Sequence, residues 1–163
     1  MKAYVEIPLT QGHKALVDVD DYAAVIGTRW SVRPNGDRLY AQCASLSAAA
    51  RKTTKSLHRV LTGWPLVDHI NGDGLDNRRI NLRPATPTQN NANSRVRPRT
   101  ASGFKGVTWN ERSRKWAARA HCGGHVYYLG LFVDPADAAR AYDSKARELF
   151  GNFARLNFPG GKS

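Results

Sequence analysis

An α+β fold in two domains is predicted by three observations. The N-terminal stretch is a series of short β-prone runs separated by turn residues. The C-terminal stretch holds three strand candidates followed by one well-capped helix. Between them, Ser94-Arg-Val-Arg-Pro-Arg-Thr-Ala-Ser-Gly103 has three arginines, one proline and no hydrophobic period, and reads as an extended basic linker. The expected division is a domain over residues 1–94, a linker over 95–101 and a second domain over 102–159.

The runs Val5 to Val19 and Arg29 to Ala41, broken by Gln11-Gly12 and Pro34-Asn35-Gly36-Asp37, predict a small antiparallel meander. From Ser45 to Thr62 the chain mixes Ala, Leu, Arg and Lys, which suits a short helix containing Leu57-His58-Arg59-Val60-Leu61. After the linker, strands are expected at Phe104 to Trp109, Lys115 to His121 and Val126 to Phe132. In the middle one, Trp116, Ala118 and Ala120 alternate with Lys115, Ala117, Arg119 and His121, so one face packs and the other is wet and cationic. Asp134 as N-cap, Pro135 at the first helical position and Gly151 past the end frame a helix to about Phe150. Its inner positions, Ala138, Tyr142, Ala146 and Leu149, would back the three-stranded sheet.

The chain has 163 residues, with 25 Lys and Arg against 13 Asp and Glu, a formal net charge of +12. Such a balance calls for an acidic partner, and nucleic acid is the first candidate. Residues 1–94 carry 12 basic and 8 acidic groups, whereas residues 95–163 carry 13 and 5, so the C-terminal part is the more basic. No stretch has the length of an apolar membrane span, and the N-terminus lacks a signal-peptide core. The expectation is a cytoplasmic protein (host-cell cytoplasm if phage-encoded), not secreted, with no membrane partner. Cys43 and Cys122 form no CxxC pair, so neither a disulfide framework nor a structural zinc is expected. The group His121-Cys122-Gly-Gly-His125 lacks a fourth ligand and reads as a turn.

The segment from Leu66 to Asn93 carries the chemistry. It reads as strand, polar turn, strand and helix, with Asp68-His69 in the first strand and Asn71 to Arg79 too polar and glycine-rich for core. Asn81-Leu82-Arg83 resumes an extended run. Thr86-Pro87-Thr88-Gln89 matches a capping box, which puts Asn90 in a helix's first turn. A hairpin folded on that helix could gather Asp68 and Asn90 as oxygen ligands beside His69. Hard oxygen donors favour Mg²⁺, with Mn²⁺ as the second choice, over zinc. A neutral His there can take a proton from water while the metal offsets charge on a phosphate. A calcium loop over Asp68 to Asn77 fails on its Asp spacing and its missing final Glu.

The segment from Leu57 to Arg95 resembles the HNH (ββα-metal) endonucleases of phage and self-splicing introns. The resemblance implies that His69 is the general base and Asp68 a metal ligand. It also implies that Asn81, twelve residues after His69, orients the imidazole and holds the turn, and that Asn90, twenty-one residues after it, is the second ligand. Asn91 and Asn93 stand close enough to be alternatives for that ligand. His58, beside Arg59, recurs in the family upstream of the Asp-His pair and suggests a phosphate contact or site support.

Gly103-Phe-Lys-Gly-Val-Thr-Trp109, Lys115-Trp-Ala-Ala-Arg-Ala120, Tyr128-Leu-Gly-Leu-Phe132, Ala138-Ala-Arg-Ala-Tyr-Asp143 and Ala154-Arg-Leu-Asn-Phe-Pro159 closely resemble the Apetala-two, or ethylene-response-factor, DNA-binding domain. In that family a three-stranded sheet lies in the major groove. The resemblance places Lys105, Thr108, Arg119, His121 and Tyr128 at DNA contacts, with Trp109, Arg112, Arg114 and Lys115 close by. Thr108 and His121 stand where plant members carry Arg, so the plant recognition sequence does not transfer. Together the two resemblances imply an enzyme, an HNH endonuclease of phage or mobile-element homing or nicking kind, hydrolysing phosphodiester bonds in double-stranded DNA with a divalent metal. No small-molecule substrate is implied, and a monomer is the favoured state. The alternative is a non-enzymatic, sequence-specific DNA-binding regulator.

Overall fold

The computed structural model describes residues 4–46, 51–95 and 100–160. The fold is α+β, and the chain divides after Ala85 into two compact units.

In the N-terminal unit, β1 (Tyr4–Pro8) and β2 (Lys14–Asp18) form an antiparallel hairpin in which Val5 faces Val17 and Ile7 faces Ala15. A second sheet, in the order β3-β4-β5, joins β3 (Ser31–Asn35), β4 (Arg38–Leu46) and β5 (Lys52–Ser56). The expected meander is thus two sheets rather than one. The break falls at the short helical turn Val19–Ala24. Ile7, Val17, Val25, Trp30, Val32, Ala41, Leu57 and Leu61 close one apolar core, in which the Trp30 indole donates to Val25 O at 3.0 Å.

The helix expected over Ser45 to Thr62 is shorter. Helix α1 covers Leu57–Thr62, and Lys52–Ser56 ahead of it is extended. Cross-strand pairing of Cys43 with Lys55 and Ala44 with Thr54 outweighs local helix propensity there, and Thr53-Thr54 suits a strand. Gly63, with a left-handed φ of 71°, stops α1. The third sheet is the two-stranded pair β6 (Val67–His69) and β7 (Leu82–Pro84).

The C-terminal unit opens with α2 (Pro87–Ala92), whose capping box forms as expected. Thr86 Oγ1 accepts from Gln89 N at 3.2 Å, and Gln89 Oε1 accepts from Thr86 N at 2.8 Å. The division falls ahead of the expected boundary after residue 94 because α2 packs with residues later in the chain. Ala92 is buried among Tyr142, Ala146 and Phe150 and accepts from Arg155 N at 3.2 Å. Within the expected linker, residues 96–99 lie outside the described residues.

The larger part of this unit is a sheet of β8 (Val107–Asn110), β9 (Lys115–Cys122) and β10 (His125–Phe132), with β9 central, backed by α3 (Pro135–Phe150). The first strand begins at Val107 rather than Phe104 because Gly103 and Gly106 hold left-handed φ values of 70° and 77°. Asp134 caps α3 by accepting from Ala136 N at 2.7 Å, and Ala138, Tyr142 and Ala146 face the sheet. One expectation for β9 fails: Ala117, assigned to the wet face, is fully covered between its cross-strand neighbours Thr108 and Leu131. Asp143 fastens the closing segment, accepting from the backbone amides of Asn157 at 2.8 Å and Phe158 at 2.9 Å. Among the described residues, no helix is long and apolar enough to cross a membrane.

Gly74 tests the packing of the N-terminal unit. A methyl group there would come within 2.5 Å of Tyr40 Cδ1 and would also strike Leu39 O. Gly74→Ala is expected to destabilise this unit by about 3 kcal/mol, read as a lower urea midpoint.

Candidate active site

β6 and β7 place Asp68 opposite Arg83 and His69 opposite Leu82. All three residues of β6 are buried, and Asp68 and His69 are 1% and 4% exposed. A carboxylate held out of water needs a charged partner. Arg83 supplies it, with Nε at 2.8 Å and Nη2 at 2.7 Å from Asp68 Oδ2.

The turn from Asn71 to Arg78 departs from the expectation that it lies outside the core. Gly72, Gly74, Asp76 and Asn77 are buried, Asn77 completely. The turn meets the cost of burial by hydrogen-bonding to itself. Asn81 spans it: Oδ1 accepts from Asn71 N at 2.9 Å, and Nδ2 donates to Asp76 O at 2.7 Å. Asn71 Nδ2 donates to Asp76 Oδ2 at 2.9 Å, and Arg78 forks onto the same carboxylate at 2.7 Å through both Nε and Nη2. These bonds, with burial opposing, hold the Asp76 carboxyl below the usual carboxylate range. The extended run expected at Asn81 is instead a short helical turn, Arg79–Asn81, that feeds β7.

His69 Nε2 lies 3.4 Å from Asn77 Oδ1. Asn77 is itself oriented, since its Nδ2 donates to Leu75 O at 3.0 Å. Asn81, the residue expected to orient the imidazole, holds the turn, and it is Asn77 that reaches the ring. Asn77 sits within Asp76-Asn77-Arg78, where a turn-forming Asn is ordinary, and only its burial singles it out.

Tyr40 and His58 also close around His69. The His58 and His69 rings meet edge to face with centroids 5.0 Å apart, and Tyr40 lies 6.1 Å from the first and 5.8 Å from the second. Tyr40 carried no signal in the sequence, being one aromatic residue in a β-strand. Burial pushes the His58 imidazole down to about 3, helped by neighbouring His69 and Arg59. Burial also lowers His69, against the raising influence of Asn77 and of Asp68, Asp73 and Asp76. Both are neutral near pH 7. His58 Nδ1 is buried without a hydrogen-bond partner among the described residues. Arg59, next to it, points to solvent. Asn90, the expected second ligand, lies on α2 and is described with the C-terminal unit, as are Asn91 and Asn93.

In the C-terminal unit, strand register sorts the expected DNA contacts. Thr108, Lys115, Arg119, His121 and Tyr128 share the sheet face opposite α3, and Arg119 lies over the Tyr128 ring at 5.8 Å. Val126 and Leu131, unremarkable in the sequence, stand on that face beside His121 and Ala117. A bulge between Tyr128 and Gly130 breaks the alternation that would have revealed Leu131. Arg112 and Arg114 are exposed in the β8–β9 turn, Arg114 with a left-handed φ of 51°. Two expected contacts sit elsewhere. Trp109 pairs with Trp116 on the helix-facing side, ring centroids 5.0 Å apart. The Lys105 ammonium lies over the carboxyl end of α2, donating to the carbonyls of Ala92, Ser94 (2.9 Å) and Asn91 (3.3 Å), where a helix terminus favours a cation.

Fold and site define a two-unit α+β protein with a buried Asp-His pair on a locked hairpin in one unit and a cationic three-stranded sheet in the other. The chain belongs to the family of protein 3.8 of Escherichia phage T7, to which it is 32% identical over 55% of its own length and 74% of the relative's. It is also similar to an uncharacterized HNH endonuclease of Acanthamoeba polyphaga mimivirus, 28% identical over 90% of this chain and 76% of that protein. A third relative is the AP2-like ethylene-responsive transcription factor TOE2 of Arabidopsis thaliana, 33% identical over 70% of this chain and 23% of that protein. No family model matches the chain, and no solved structure matches it.

The buried imidazoles predict a pH dependence of stability. Their folded values lie below the ordinary 6.5, so the unfolded chain binds more protons once the pH falls under that value. Stability is complete above 6.5 and declines as the pH drops towards 3, by at most about 1.4 kcal/mol per pH unit per histidine. The urea midpoint is expected to be lower at about pH 5.5 than at about pH 7.5, with a smaller difference in His58→Gln.

Proposed function

We propose that this protein is a metal-dependent DNA endonuclease of the HNH kind, serving a phage or mobile element, with a second DNA-binding unit of Apetala-two type. The observation that carries the reading is the neutral, buried His69 beside the Asp68 carboxylate on a hairpin whose turn is fixed by Asn81. The similarity to the mimivirus HNH endonuclease over most of the chain supports it.

The chain's own groups suit phosphodiester hydrolysis. Asn77 Oδ1 accepts the Nε2 proton of His69 and so selects the tautomer whose Nδ1 lone pair takes a proton from water. Neutrality near pH 7 keeps that lone pair available. Tyr40 and His58 shield the ring and fix its plane. Mg²⁺ is commonly held by one or two carboxylates with water and substrate phosphate, and the Asp68 carboxylate beside His69 is a hard oxygen donor of that kind. Asp68 would hold it, and the ion would offset charge on the phosphate. The face carrying Arg119, His121 and Tyr128 would take duplex DNA, as the similarity to AP2-like factors suggests.

A non-enzymatic DNA-binding regulator is favoured by one observation: Arg83 already forks onto Asp68 Oδ2, as it would in a purely structural ion pair. Incubation with supercoiled DNA separates the two readings. Mg²⁺-dependent nicking or linearisation, blocked by EDTA and lost in His69→Ala while duplex binding stays within about twofold, is the expected result. Binding with no cutting across Mg²⁺ and Mn²⁺ would leave the regulator. For the second unit, Arg119→Ala is expected to weaken duplex affinity roughly tenfold in fluorescence anisotropy, with the melting temperature unchanged. Wild-type affinity would remove the sheet face from recognition.

A further inference from the structure

The N-terminal unit has a second feature outside the Asp-His hairpin. Between Asp37 and Asp68 there is no acidic residue, while Arg38, Arg51, Lys52, Lys55 and Arg59 supply five cations. Strand β5 is the edge of its sheet, and Lys52 to Lys55 are exposed throughout. Between this strand and α1 lies a cleft of about 560 Å³, within the usual range of ligand sites. Lys55 and Arg59 line it, with Thr53, Thr54 and Trp64.

The cations here differ from those around the catalytic pair. Arg78, Arg79 and Arg83 are each bound to a carboxylate, of Asp76, Asp21 and Asp68. Among the described residues, neither Lys55 nor Arg59 forms an ion pair. Two cations in a cleft that no acid lines suit an anion with several oxygens.

Helix α1 links this cleft to the catalytic pair. Leu57 and Leu61 point into the core, His58 meets His69, and Arg59 and Val60 line the cleft. The cleft therefore borders the same short helix whose His58 ring meets His69 at a centroid distance of 5.0 Å.

We propose that the β5–α1 cleft holds the phosphodiester backbone of a DNA duplex near the phosphate being cut, giving the nuclease unit its own sequence-independent grip. This rests on the nuclease reading for its position along the strand. The grip itself follows from the cleft's charge.

The test measures binding without cutting. The full chain carrying His69→Ala is titrated in EDTA with a random-sequence duplex across a salt series. Lys55→Gln with Arg59→Gln is expected to flatten the slope of log K against log salt by about 1.8, two phosphates at 0.9 each. Arg29→Gln with Arg33→Gln, exposed cations elsewhere in the same unit, is expected to change it little, and Lys55→Arg with Arg59→Lys to preserve it. If the double glutamine variant melts early, Lys55→Gln alone on its exposed strand is expected to flatten the slope by about 0.9. An unchanged slope, or equal flattening by the Arg29 and Arg33 pair, overturns the proposal. Failure of the nuclease reading shows separately, as absence of Mg²⁺-dependent nicking by the wild-type chain, and leaves this comparison intact.

Discussion

Holding a carboxylate and an imidazole away from water without unfolding the loop that carries them is the constraint on which the N-terminal unit depends. Each buried amide and carbonyl in such a loop costs about 1–3 kcal/mol if it finds no partner. Asn81 answers most of that demand with one side chain, joining Asn71 N to Asp76 O across the turn. Aspartate could accept from the first group but could not donate to the second. A hydrophobic residue would leave both unmet. The carboxamide, carrying donor and acceptor together, is the side chain this turn requires.

The same constraint accounts for the β-rich start of the chain, which otherwise has no evident role. β2 accepts the turn as a partner: Leu16 N donates to Leu75 O and Asn77 N donates to Leu16 O, both at 2.8 Å. Asp18 takes the amide of Arg79 at 2.6 Å, and Asp21 takes its guanidinium in a fork at 2.8 Å. Arg79 also reaches Leu61 O at 2.8 Å, tying the turn to the helix that carries His58. On its other side the turn presses on β4 at Gly74, where any side chain would meet Tyr40. Residues from four separate elements therefore set the position of Asn77, and through it the imidazole.

Local patterns were legible in the sequence, and long-range ones were not. The capping box at Thr86 and the Asp134 cap are encoded within a few residues and form as read, and the alternation of β9 holds except at Ala117. Asp68, His69 and Asn81 were marked by spacing and resemblance, and they do share one hairpin. Asn77 and Tyr40 were invisible because their positions depend on pairings between distant parts of the chain. The rule that a polar, glycine-rich stretch lies outside failed at Asp76 and Asn77, since burial tracks hydrogen-bond satisfaction as well as polarity. Lys105 and Trp109 show the reverse limit. A residue's place in a motif names a face or an edge, but the ammonium went to the end of α2 and the indole to its tryptophan neighbour.

Charge finally divides by environment more than by sequence. Several of the chain's cations are committed to structure: Arg83 neutralises Asp68, Arg78 locks Asp76, Arg79 fastens the turn to β2, and Lys105 caps α2. Removing any of these would disturb the fold before it touched a partner, so a count of cations alone overstates what is available for binding. Among the described residues, exposed cations outside any ion pair include Lys52, Lys55 and Arg59 at the β5 edge and Arg112, Arg114 and Lys115 around the β8–β9 turn. A polyanion drawn to those two places would meet one beside the Asp-His hairpin and the other on a sheet face that mixes Arg119 and His121 with Tyr128, Val126 and Leu131. The first offers charge, which suits a uniform backbone. The second adds apolar and aromatic groups, which suit the variable edges of bases.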